Sequence, residues 1–185
     1  ETDPLLKVYG VVDGEFGGGV SFDIGSGSSW IVNCLFEGNE AVFGGGVGYY
    51  YGYDTPQYVV NSVFRGNHAT DQGGAISTEE TGLGVINCTI VGNTAVDRSG
   101  GMDNISCYTA QNVVSGTIFW GNTSESTADT VSQEQIGNYD DNCLTEVTYS
   151  AVQGGCDDVD ENGAADPGAC TALDAGLNID LAPML

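Results

Sequence analysis

Asp158-Val159-Asp160-Glu161-Asn162-Gly163 matches D-x-[DN]-x-[DN]-G, the opening half of a calcium-binding loop. Asp158, Asp160, Asn162 and, at the ninth position, Asp166 would offer oxygen ligands to a hard cation. The twelfth position is Ala169, where a bidentate Glu belongs, so the loop is not a complete EF-hand. The expectation is a weak calcium site of the extracellular kind, with no other cofactor required. Acidic turns of this composition also occur without metal.

Acid–base chemistry has fewer candidates. A glycoside hydrolase needs two carboxylates across one bond. Asp71 and Asp97 stand at nearly equivalent places before Gly73-Gly74 and Gly100-Gly101, but no third polar group supports them in sequence. A polyuronate lyase needs a cationic base; only Arg65 and Arg98 lie within the repeats, and neither sits among clustered carboxylates. His68, next to Asn67, reads as a turn residue. No catalytic constellation converges, and the chain is expected not to be an enzyme.

Two further groups could make contacts. Tyr49, Tyr50, Tyr51, Tyr53 and Tyr58 fall within ten residues, more than alternation can bury. Tyr is suited to stacking on sugars or meeting protein, and stacking on Trp30 is the structural alternative. Sequons occur at Asn87, Asn104 and Asn122. Asn87 reads as strand and Asn122 as ladder, which leaves Asn104 as the acceptor in a glycosylating host.

The elements that must carry these residues repeat. WIVNCLFEGNEAVFGGGV starts at Trp30, YVVNSVFRGNHATDQGGAI at Tyr58 and GVINCTIVGNTAVDRSGGM at Gly84. A worn copy begins at Ser115 and another, VYGVVDGEFGGGV, at Val8. The Gly-Asn pair recurs at Asn39, Asn67, Asn93 and Asn122, at intervals of 28, 26 and 29 residues. Such a period, with short apolar runs and Gly-rich corners, marks a solenoid. Val32, Cys34 and Phe36 alternate with polar or outward residues, which is strand spacing. Val, Ile, Phe and Thr in the runs, with 29 glycines overall, disfavour helices. Each repeat is one turn of a parallel β-helix, with turns stacked about 4.8 Å apart.

Equivalent positions then form ladders. Val32, Val60 and Ile86 stack, as do Phe36, Phe64, Ile90 and Phe119; Ala41, Ala69 and Ala95; and Val20, Val47, Ile76 and Met102. Asn39, Asn67, Asn93 and Asn122 end a strand, where Asn tolerates left-handed backbone angles and can bond to the turn above. Cys34 and Cys88 share one inward position with Ser62 between them and Thr117 beyond. Two steps of about 4.8 Å exceed disulfide reach, so both are expected as buried free thiols. Cys107, Cys143, Cys156 and Cys170 are the disulfide candidates. Four cysteines allow three pairings; Cys156 with Cys170 would close an acidic loop and leave Cys107 with Cys143.

Composition bounds the setting. The chain of 185 residues fits one domain, with β-helix turns over 7–130 and a last turn plus disulfide-tied segment over 131–185. Six cysteines favour an oxidising compartment. With 26 acidic and three basic residues, the net charge of -23 opposes nucleic acid, anionic membranes and acidic polysaccharides. No apolar run approaches the ~20 residues of a membrane helix. The first residues, ETDPLLKVYG, carry no signal-peptide pattern.

The repeat N-[CS]-x-[FI]-x-G-N-x-A followed by Gly-Gly resembles the right-handed parallel β-helix repeats of polymorphic outer-membrane proteins. GTIFWGNTS from Gly116, Gln135-Ile136, VTYSAVQGG from Val147, Ala165-Asp166-Pro167 and Leu173-Asp174-Ala175-Gly176 come in an order similar to the closing part of anchored bacterial surface β-helix proteins. The resemblance covers roughly 30–178 and implies a secreted or cell-surface solenoid, with no activity attached. The chain departs from those proteins in its shortness and in having no anchor after Leu185.

The expectation is an all-β, right-handed parallel β-helix of about five turns with an irregular C-terminal segment. Its expected role is extracellular, non-catalytic and structural or adhesive. Its partners would be copies of itself joined end to end, and carbohydrate. Polysaccharide lyases and glycoside hydrolases share the fold and supply the alternative function.

Overall fold

A computed structural model describes residues 6–8, 15–23, 27–106, 112–126, 134–138, 143–155 and 171–172; at 6–8, 53–54 and 171–172 it is the backbone that is described. Strands recur in the same order coil after coil. The first coil contributes β1 (Leu6–Val8), β2 (Val20–Asp23) and β3 (Trp30–Val32). The second holds β4 (Cys34–Glu37), β5 (Glu40–Phe43) and the long β6 (Val47–Val60), and the third β7 (Val63–Arg65), β8 (His68–Gln72) and β9 (Ile76–Ile86). The fourth has β10 (Thr89–Val91), β11 (Thr94–Ala95), β12 (Met102–Ser106) and β13 (Asn112–Ser115). The fifth has β14 (Ile118–Trp120), β15 (Thr123–Ser124), β16 (Ile136–Asn138) and β17 (Thr145–Thr148). β18 (Ala151–Val152) and β19 (Thr171–Ala172) begin a sixth.

Every strand pairing among the described residues is parallel, and the strands gather into three sheets. The first face stacks β1-β4-β7-β10-β14-β18, the second β5-β8-β11-β15, and the third carries nine strands built on β6 and β9. This is the expected parallel β-solenoid. The turn count differs by face: six levels on the first, four on the second, against the expected five or so. The coils beginning at Cys34, Val63 and Thr89 have a neighbour above and below on every face.

The stacked positions follow the repeat. Val20, Val47, Ile76 and Met102 are successive register partners, and Ile136 continues them. Phe36, Phe64, Ile90 and Phe119 are likewise partners, and all four are fully buried. Phe36 and Phe64 stack at 4.6 Å with planes 7° apart. At roughly 25 cal/mol per Å2 of apolar surface, each such ring contributes about 2 kcal/mol on burial.

Two corners depart from the alternation read in the sequence. Val32, Val60 and Ile86 do stack, but on the outer surface, with Val32 44% exposed. Their inward neighbours are Ile31, Val59 and Val85. The reason is the residue that follows: Asn33, Asn61 and Asn87 have φ of 55°, 50° and 53°. A left-handed residue turns the chain and resets which side faces in. Residues 31 and 34 therefore both point inward, although alternation places them on opposite faces. The second corner reverses an assignment. At the Gly-Asn pairs it is Gly38, Gly66, Gly92 and Gly121 that take φ of 61–66°. The asparagines after them turn inward.

Candidate functional site

The corner that joins the second and third faces builds one outward ladder of changing chemistry. Phe16, Phe43, Gln72 and Arg98 are successive partners along it. Each is followed by a left-handed residue, Gly17, Gly44, Gly73 and Ser99, with φ of 70°, 65°, 68° and 49°. The tight corner has a steric cause: a Cβ on Gly45 would stand 2.3 Å from the carbonyl oxygen of His68, and on Gly74 2.4 Å from that of Gly100. One coil's glycines lie against the next coil's backbone, so the outer side chains of the corner stand in register.

At the polar end, Asp71 and Asp97 lie side by side, the Asp97 N–H donating to the Asp71 carbonyl at 2.8 Å. A third polar group does reach one of them, Asp97, contrary to the sequence reading. The Gln72 amide donates to Asp97 Oδ2 at 3.4 Å and accepts from Arg98. Arg98 also pairs with Asp103 at 3.3 Å. Asp103 is 1% exposed and takes a second hydrogen bond from the Ser99 hydroxyl at 3.0 Å. Ser99 occupies the slot that glycine holds in the other coils, and its hydroxyl serves the buried carboxylate. The five-residue spacing of Arg98 and Asp103 does not reveal this, because the chain folds back at Gly100-Gly101. Arg65 instead sits on the first face and donates to Glu37 at 2.7 Å, both side chains being well exposed.

The aromatic end carries the tyrosine segment. Phe16 stacks on Phe43 at 4.9 Å and meets Tyr50 at 4.7 Å with planes 37° apart, and Tyr50 meets Tyr51 at 3.9 Å with planes 52° apart. These four rings are half-buried. A hydroxyl bond to Tyr51, then burial and the charges of Glu79 and Glu15, hold the Tyr50 phenol above its ordinary pKa. Glu79 is the register partner of Tyr50. Partial burial, then the like charges of Glu80 and Glu15, raise its carboxyl above the usual range.

The five tyrosines do not act as one surface. Tyr49 follows the inward Val47 by two residues and is fully buried, stacked on Phe22 at 4.9 Å, which removes it from the surface-contact set. Tyr58 stacks at 4.2 Å on Trp30, which is 61% exposed. Tyr53 pairs with Thr81 through its backbone, between two register shifts of β6.

Inside the coil, Asn39, Asn67, Asn93 and Asn122 form a continuous buried ladder. Each side-chain amide of the first three donates to the next Asn Oδ1 at 2.8–2.9 Å, and each backbone N–H to the same oxygen at 3.0 Å. Gln135 closes the ladder: its Oε1 accepts the Asn122 amide at 2.8 Å and its Nε2 donates back to the Asn122 carbonyl. Gln135 has no repeat signature, so its capping role was not legible. A second line runs Cys34, Ser62, Cys88, Thr117 and Ser150. The Cys34, Cys88 and Thr117 backbone N–H groups donate to Ser62, Thr117 and Ser150 hydroxyls at 3.1–3.2 Å. Cys34 and Cys88 are buried free thiols.

Asn104 is misassigned by the sequon reading. It is fully buried, and its amide donates to Asn138 at 2.7 Å and Thr145 at 3.0 Å while its oxygen accepts from Thr78. No glycan can be added there in the folded chain. Asn87, read as strand, is the exposed corner residue. His68 Nδ1 lies 2.9 Å from the Thr94 hydroxyl. Cys143 is buried and disulfide-bonded. Cys107, Cys156 and Cys170, and the calcium-loop residues Asp158, Asp160, Asn162 and Asp166, lie outside the described residues. Among the described residues no group of three or more His, Cys, Asp or Glu is placed to hold a metal ion.

Set against family models, curated proteins and solved structures, the chain matches none.

Proposed function

We propose that this chain is an extracellular, non-catalytic β-solenoid that works as an adhesive surface for carbohydrate. Trp30 carries the reading. It rests on Tyr58 of the next coil and leaves most of its ring in water. An exposed indole forgoes burial free energy, and its flat face suits the apolar face of a pyranose ring. The Phe43, Phe16, Tyr50 and Tyr51 row lies on the same two coils. The asparagine and Cys/Ser/Thr ladders hold the coil backbones in register, so aromatic groups keep fixed spacing without a ligand, which lowers the ordering cost of binding. Net charge of -23 directs the choice toward neutral or cationic glycans. End-to-end association of copies, through the terminal coils, belongs to the same proposal.

Affinity electrophoresis through gels containing neutral polysaccharides tests it. Retardation that Trp30→Ala abolishes supports adhesion, and mobility that no polysaccharide alters for either protein overturns it.

The adjoining Asp71 and Asp97, with Gln72 and Arg98 beside them, favour a second reading, a carbohydrate-active enzyme. New reducing ends released by the native chain and lost in Asp97→Asn would establish that reading in place of the first.

A further inference from the structure

The aromatic row does not lie flat, and its tilt coincides with a gathering of charge. Core rings stack nearly parallel, at 7° for Phe36 on Phe64 and 6° for Phe22 on Tyr49. Outside, Phe16 is inclined 37° to Tyr50, and Tyr50 52° to Tyr51. The three rings, inclined to one another and half-buried, form one outer aromatic wall. Glu79 is the register partner of Tyr50, Glu80 follows it, and Glu15 precedes Phe16. Two of the chain's three basic residues are engaged elsewhere, Arg65 with Glu37 and Arg98 with Asp103. Tyr51 and Glu80 also take left-handed φ, 52° and 51°. Asn or Gly fills a comparable corner at 33, 61, 87 and 116, and Tyr149, with φ of 52°, fills it in the coil after.

We propose that Phe16, Tyr50 and Tyr51, with the carboxylates of Glu15, Glu79 and Glu80, form a receptor for an organic ammonium group: the free amine of an unacetylated amino-sugar polymer. Ring faces attract an ammonium through their quadrupole, and neighbouring carboxylates complete its charge. A hard metal ion wants six to eight oxygens, which the rings do not supply. The occupant is a sugar amine because Phe43, 4.9 Å from Phe16, extends the wall with a further apolar face for a pyranose ring. The net charge of -23 selects a cationic glycan over an anionic one. This inference rests on the adhesive reading and names the class of sugar.

Calorimetric titration of the whole chain with a glucosamine tetramer and an N-acetylglucosamine tetramer decides it. At low salt the free amine is expected to bind about 10-fold tighter. Glu79→Gln should remove that preference, and Glu37→Gln, on another face, should leave it. Equal affinity for the two oligomers overturns the ammonium site and leaves sugar stacking standing. An equal loss in Glu79→Gln and Glu37→Gln also overturns it, since the attraction would then be diffuse. Binding of neither oligomer removes both readings. Tyr50→Leu supplies a second probe, and because Glu79 is only partly buried its neutral variant keeps the test independent of folding.

Discussion

Asn67 gives its side-chain amide to Asn93 Oδ1 at 2.8 Å, and its backbone N–H meets the same oxygen at 3.0 Å. One carboxamide oxygen thus satisfies two donors of the coil above, and the pattern repeats at Asn39 on Asn67 and at Asn93 on Asn122. All four asparagines are buried. A buried donor without an acceptor costs about 1–3 kcal/mol. Asn67→Ala removes the oxygen that accepts from both the Asn39 backbone N–H and its amide. Urea denaturation should show a loss of about 3 kcal/mol or more, against less than about 1 kcal/mol for His68→Ala on the outer surface. Equal losses would refute the ladder's role.

Cys88 should make the chain sensitive to alkali. Burial lifts its thiol from 9.0 to about 11 in the folded chain. The unfolded thiol ionises first, so its contribution is complete below about pH 9 and is lost as pH rises towards 11. The amount is of order 2 kcal/mol. Cys88→Ser, which installs the residue type found at 62, should be nearly neutral at pH 7 and show a flatter decline between pH 9 and 11. In the native chain at pH 8, thiol reagents should modify Cys88 only as fast as the protein opens; rapid labelling without denaturant would contradict its burial.

The two arginine pairs should differ sharply. Arg65 and Glu37 are exposed, and Arg65→Ala is expected to cost under about 1 kcal/mol. Arg98→Ala leaves the buried Asp103 carboxylate without its cation and should cost about 3 kcal/mol or more. Comparable urea midpoints for the two variants would show that the Asp103 charge is compensated some other way.

Glycines in this chain are not equivalent. Gly66 has φ of 61° with open space where a Cβ would go, so Gly66→Ala carries only the left-handed penalty of about 1–2 kcal/mol. Gly74→Ala would drive a Cβ to 2.4 Å from two backbone oxygens, of Gly100 and Thr94. Expression and circular dichroism should show Gly66→Ala folded and Gly74→Ala largely unfolded.

The stacking partners were legible from the chain alone. In a parallel solenoid each residue lies above its counterpart one repeat away, at the ~4.8 Å strand spacing. Aligning the copies at Gly-Asn therefore aligns Phe36 with Phe64, Val47 with Ile76 and Asn67 with Asn93. Periodicity along one dimension was enough, because the fold's long-range contacts are the repeat itself.

Which side of the coil each residue faces was decided only in three dimensions. A single left-handed residue at Asn33, Asn61 or Asn87 resets the alternation, so Val32 faces water while Ile31 and Cys34 share the interior. Tyr49 and Tyr50, adjacent in sequence, part into core and surface. Asn104 disappears into a buried network with Thr78, Asn138 and Thr145, residues from the coils on either side of its own. The corner that joins Phe16, Phe43, Gln72 and Arg98 keeps one residue type only across its first two members, where both copies read FGGGV. It exists because glycine-lined corners bring backbones together whatever the outer side chains are. Repetition carries register, while the chirality of single corner residues and the closure of each coil decide direction and neighbourhood.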